Sequence, residues 1–118
     1  MAQYEELAFD QGADIAVEVH LFNTDETKKN LQGYSVAAQM RRTVNTSDSD
    51  AVTFTTLVAD PAADGIITLT LTNQQTDALT PGRYFYDVEI SFTDSAATTF
   101  VERVLEGIVD VKPSITRI

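Results

Sequence analysis

Cysteine and tryptophan are both missing from the 118-residue chain, and histidine occurs once, at His20. Without cysteine there is no thiol nucleophile, no disulfide frame, no zinc finger and no iron–sulfur ligand set. Glycine is scarce as well: the five glycines are scattered singly and build no phosphate-cradling loop. Basic residues are few. Eight Lys and Arg stand against 18 Asp and Glu, and the formal net charge of −10 repels phosphate backbones and anionic lipid. Neither a nucleic-acid nor a membrane partner is expected, and the only adjacent basic pair is Arg41-Arg42. No apolar run approaches the roughly 18 residues of a membrane span. The segment Met1-Ala2-Gln3-Tyr4-Glu5-Glu6 is acidic, without the basic and apolar regions of a leader. Synthesis and folding in a cytoplasm are therefore expected, with the Asn45-Thr46-Ser47 sequon unused.

What the chain does have is alternation. Ile15, Val17, Val19 and Leu21 alternate with Ala16, Glu18 and His20, the mark of a strand with one face buried. The pattern returns at Tyr34, Val36, Ala38 and Met40, more weakly at Val52, Phe54, Thr56 and Val58, and again at Ile67, Leu69 and Leu71 between threonines. Its longest run is Tyr84, Tyr86, Val88, Ile90 and Phe92, and Leu7 with Phe9 suggests a short first strand. Over 99–111 neither phase is comfortable, since one buries Arg103 and the other Glu102 and Glu106. A bulge near Arg103–Leu105 would shift the phase once and turn Leu105, Val109 and Val111 inward.

Polar, turn-forming clusters separate these runs at 23–33, 45–50, 60–65 and 94–97. Only residues 73–79 read as helical, one short turn entered through Thr72 and Gln75 at capping-box spacing and stopped by Pro81-Gly82. About seven short strands with polar turns predict an all-β, single antiparallel sandwich. One domain is expected over residues 1–118, with a core of about 5–112 and an extended tail over 113–118. In Leu79-Thr80-Pro81-Gly82-Arg83-Tyr84 a tyrosine opens the longest strand just after a Pro-Gly turn. In immunoglobulin-like sandwiches a tyrosine so placed returns its hydroxyl to the upstream backbone, so Pro81, Gly82 and Tyr84 are expected to form a structural corner.

Candidate chemistry is sparse. His20 falls on the solvent side of its strand and no nucleophile-elbow motif accompanies it. Asp87 and Glu89 share a strand face, and Glu102 and Glu106 lie on the following strand, so a hairpin would bring these carboxylates together. A glycosidase-like pair needs a cleft with aromatic walls; acidic faces also keep sheet edges from pairing with other chains. Asn45 to Asp50 has the oxygen density of a calcium loop but lacks its glycine and closing glutamate. Catalytic residues, cofactor, metal and small-molecule substrate are all expected to be absent. Beyond Pro113 the tail Ser114-Ile115-Thr116-Arg117-Ile118 alternates apolar and polar, suited to lying on an edge of its own domain or adding a strand to a neighbour.

The succession Phe9–Asp14, Leu31–Val36 leading to Met40–Arg42, Gly65–Thr72, Leu79–Glu89 and Arg103–Pro113 resembles the small immunoglobulin-like domains of tailed-bacteriophage virion proteins. It is similar to the N-terminal domain of phage baseplate upper proteins and to stand-alone structural proteins of contractile-tailed phages, over about residues 9–113. The resemblance implies a non-catalytic virion component that meets other virion proteins and copies of itself on the tail or baseplate. Baseplate upper proteins continue into a helical, receptor-carrying part where this sequence reaches Ile118, which implies an adaptor or accessory. Tyr4, Leu7, Phe85, Ile115 and Ile118 are the candidate interface residues. Capsid-surface decoration is a close variant. A glycan- or host-surface-binding module is the alternative from another class; it would show clustered exposed aromatics, and the loops 23–33 and 43–50 contain none.

Overall fold

The computed structural model describes residues 3–43, 45–47 and 50–116. The order is β1 (Gln3–Asp10), β2 (Ile15–His20), β3 (Ser35–Arg41), β4 (Val52–Thr53), β5 (Thr55–Val58), β6 (Ile66–Leu71), α1 (Asn73–Asp77), β7 (Gly82–Thr93) and β8 (Thr99–Lys112). A five-stranded sheet, β1-β8-β7-β3-β4, packs on a three-stranded sheet, β2-β6-β5. Every alternating run of the sequence becomes extended strand, and one of them divides in two. Val19, Met40, Ile67, Leu69, Leu71, Val88, Ile90, Val109 and Val111 fill the space between the sheets.

Three expectations are corrected. The described strands number eight, because Val52–Val58 is two strands and not one. β4 pairs with β3 in the larger sheet, β5 with β6 in the smaller, and the chain crosses between them at the buried Phe54. Alternation cannot show this, since Val52, Phe54, Thr56 and Val58 keep the same inward phase across the switch. The first strand is eight residues, not a short piece about Leu7, and begins at Gln3, ahead of the expected core boundary at residue 5. It also runs parallel to β8, with Gln3 level with Leu105 and Asp10 with Lys112, so the sandwich is not antiparallel throughout. Pairing between the two ends of the chain leaves no mark in local periodicity.

The bulge falls where the phase conflict requires it. Val88 pairs with Leu105 and Glu89 with Arg103, which leaves Val104 extra on β8. Val104 and Leu105 are both buried, and Arg103 and Glu102 are both exposed. The capping box forms at Thr72: its hydroxyl accepts from the Gln75 amide, and the Gln75 side chain accepts from the Thr72 amide. At the expected corner the Thr80 amide donates to the Tyr84 hydroxyl over 3.1 Å. The Arg42 guanidinium lies 5.0 Å above the Tyr84 ring and donates to the Pro81 carbonyl, 3.3 Å away. Gly82, at φ 130°, leaves room for it, since a Cβ there would stand 2.8 Å from an Arg42 nitrogen. Strand order and tyrosine corner together define an immunoglobulin-like sandwich.

Candidate functional site

The larger sheet exposes chemistry on two surfaces. Its outer face carries the odd-numbered side chains of β3 and β7 and, beyond the bulge, the even-numbered ones of β8. Phe85 lies level with Ile108 and Asp87 with Glu106, while β3 sets Arg41 beside Phe85 and Gln39 beside Asp87. Tyr4 on β1 is level with Glu106 and closes the row. These side chains line a shallow groove of about 450 Å³. Its floor is mixed: Phe85 is 42 % and Tyr4 57 % exposed. The carboxylates Asp87 and Glu106 are held by Arg103 at 3.2 and 3.9 Å.

The second surface is the inner face of the same sheet where the β7–β8 hairpin outruns the smaller sheet. There Phe92 is 36 % and Phe100 49 % exposed. Phe92 and Phe100 face each other across the hairpin, stacked with ring centres 5.1 Å apart, and Tyr34 meets Phe92 edge-on at 5.2 Å. The Lys29 ammonium sits 5.5 Å above the Tyr34 ring. Next to this ladder a 320 Å³ pocket is bordered by Phe22, Asn23, Lys29 and Glu102. Loop composition misses the cluster because its rings come from strand ends; the signal was the inward phase of Tyr34, Phe92 and Phe100 continuing past the last covered residue, Ile90.

The expected residues are placed as follows. Tyr4 and Phe85 share the outer groove. Leu7 does not join them: it packs partly buried against the core. Ile115 is 96 % exposed at the opposite end from the aromatic ladder, and Ile118 lies outside the described residues. Asp87, Glu89 and Glu106 share the outer face, but Glu102 is turned to the other face by the bulge, so the four carboxylates do not form one cluster. His20 is exposed and bonded to Glu18 at 2.9 Å. Of the oxygen-rich loop, Asp48 and Ser49 lie outside the described residues; Ser47 donates to Asp50 over 3.0 Å. Among the described residues no three His, Asp or Glu side chains gather as metal ligands, and no helix is long and apolar enough to cross a membrane. Gln11, unremarked in the sequence, ties the tail to the corner. Its amide donates to the Leu79 carbonyl at 2.9 Å and its oxygen accepts from the Ser114 amide at 3.1 Å.

Tyr86 is anchored differently from Tyr84. Its buried hydroxyl donates to the Glu5 carbonyl at 2.9 Å, joining β7 to β1 across β8. Burial, reinforced by the nearby Glu5 carboxylate and Tyr4, pushes its phenol well above the ordinary range. The unfolded chain then releases this proton first, so the contribution is complete below about pH 10 and declines above it, by up to about 1.4 kcal/mol per pH unit. Chemical denaturation between pH 9 and 12 should show the wild type losing more stability than Tyr86→Phe. Parallel losses in the two proteins would remove Tyr86 as the cause.

No protein-family model and no curated protein sequence matches the chain. Among solved structures it is similar to murine CRIg, with a TM-score of 0.47 and 15% identity over 93% of this chain and 92% of that one. It is also similar to AggA, the major subunit of aggregative adherence fimbriae type I from Escherichia coli, with a TM-score of 0.42 and 8% identity over 91% and 89%. The likeness is one of fold. Strand order and the Tyr84 corner carry the assignment without either neighbour.

Proposed function

We propose that the protein is a non-catalytic assembly component of a bacteriophage virion, docking on the tail or baseplate through exposed sheet surfaces and its C-terminal segment. The observation that carries the assembly role is apolar surface left open on a chain of net charge −10: Tyr4, Phe85, Phe100, Val101 and Ile115 are 42 to 96 % exposed. Of these, Tyr4 and Phe85 adjoin in the outer groove of the larger sheet, and apolar surface framed by charge is the usual mark of a protein–protein contact. The word virion is supported by the sequence resemblance alone. Deleting residues 114–118 should abolish incorporation into particles and leave the isolated domain folded, since Ile115 is almost fully exposed and the Ser114–Gln11 hydrogen bond lies outside the core. Normal incorporation of the folded, truncated protein would sink the docking role of the tail, and finding the density on the capsid of an intact particle would move the protein from tail to surface decoration.

The Tyr34–Phe92–Phe100 ladder favours one further reading, a glycan-binding module, because stacked rings beside Asn23, Lys29 and Glu102 suit a sugar face and its hydroxyls. Binding on a glycan array, lost in Phe100→Ala, would support it; an array without signal would dismiss it.

A further inference from the structure

In all but one of its charged rows, the outer face of the five-stranded sheet is antisymmetric in charge about the line between β7 and β8. Arg83 on β7 is level with Asp110 on β8, Phe85 with Ile108, and Glu89 with Arg103. The Phe85 row extends to Arg41 on β3 at one side and to Glu6 on β1 at the other. It therefore reads cation, ring, aliphatic, anion. A two-fold axis lying in this face along the β7–β8 boundary reverses every row. The rotation sets Arg83 of one copy over Asp110 of the other, Phe85 over Ile108, Glu89 over Arg103 and Arg41 over Glu6. Every such contact occurs twice, as an isologous interface demands.

One row departs from the pattern. Asp87 would face Glu106 of the other copy, yet both carboxylates already have the Arg103 of their own chain at 3.2 and 3.9 Å. That guanidinium offsets part of the charge of the pair at the centre. In the same row the half-exposed ring of Tyr4 comes over Gln39 of the other copy, into the 450 Å³ groove. Stacked sheets cross at about 30°, which keeps the central rows in register and spreads the outer ones.

We propose that this face is a two-fold dimer interface whose occupant is a second copy of this chain. The inference goes beyond the virion reading and does not depend on it, because it is tested on the isolated protein rather than on particles. Light scattering on the full chain at about 0.1 mM and in about 0.15 M salt, which screens the −10 of each copy beyond about 8 Å, should give twice the monomer mass. Phe85→Glu should give the monomer mass with an unchanged circular dichroism melt. Arg83→Asp and Asp110→Arg should each weaken self-association by at least about tenfold. Mixed one to one, these two variants should form a heterodimer, because the altered pairs are complementary only between copies. Arg83 and Asp110 are also neighbours within one chain, so rescue on mixing separates the intermolecular contact from the intramolecular one. A wild type of monomer mass, a Phe85→Glu protein that still dimerises, or two folded variants that stay monomeric when mixed would each overturn the proposal.

Discussion

Gly107→Ala should destabilise the domain by about 3 kcal/mol or more, lowering the melting temperature by roughly 12 °C. A Cβ at Gly107 would fall inside the van der Waals shell of the Glu5 carbonyl oxygen and crowd the Glu5 carbonyl carbon and amide nitrogen as well. All three atoms are backbone, so no rotamer change relieves the contact. Gly107 has no unusual φ; the requirement is space alone. β1 must then leave its register along Leu105–Lys112, and the Tyr86–Glu5 hydrogen bond goes with it, itself a loss of about 1 kcal/mol. Amide exchange should speed up first in β1, while β2 and β6 in the other sheet stay protected until global unfolding. A melt matching the wild type would mean that β1 does not sit as close to β8 as described.

Phe54→Ala should cost about 3–5 kcal/mol, at the upper end for removal of a core side chain. Phe54 is 3 % exposed and stands at the one residue between β4 and β5, where the chain passes from sheet to sheet. Its amide donates to the Ala38 carbonyl at 3.0 Å, and its ring meets Phe9 edge-on with centres 6.1 Å apart. The residue therefore ties the crossing to β3 through its backbone and to β1 through its ring. The cavity left by alanine borders both sheets, and neither can close over it without shifting its own register. Urea titrations of Phe54→Ala, Phe9→Ala and the double variant should show strong non-additivity, because either truncation alone already empties the shared contact. Additive losses would mean that the rings act separately.

The parts of the fold set by nearest neighbours were legible in the chain. Alternation gave the faces of β2, β3, β6 and β7, the Thr72–Gln75 spacing gave the cap, and Pro81-Gly82 before Tyr84 gave the corner. The clash between Arg103 in one phase and Glu102 and Glu106 in the other even located the bulge. What stayed hidden depends on partners far away in sequence. The parallel pairing of β1 with β8 is one example, and the strand break at Phe54 is another, since the inward phase is unbroken there. The candidate surface divides in the same way. Phe85 could be named from its outward phase and Tyr4 from its place in the terminal segment, but that they share a groove with Gln39 and Arg41 is a matter of strand order. Leu7 looked equally available and is instead partly buried, because it shares the inward phase of Phe9 on β1.

The parallel ladder between β1 and β8 also has a mechanical meaning. The chain enters at Gln3, beside Leu105, and leaves at Lys112, beside Asp10. Tension between entry and exit therefore pulls the two strands past each other along their length. Their hydrogen bonds lie across that line and are loaded together, rather than peeled one at a time as in a hairpin pulled from its open end. Such a domain, tethered at both ends, resists extension until the whole ladder slides.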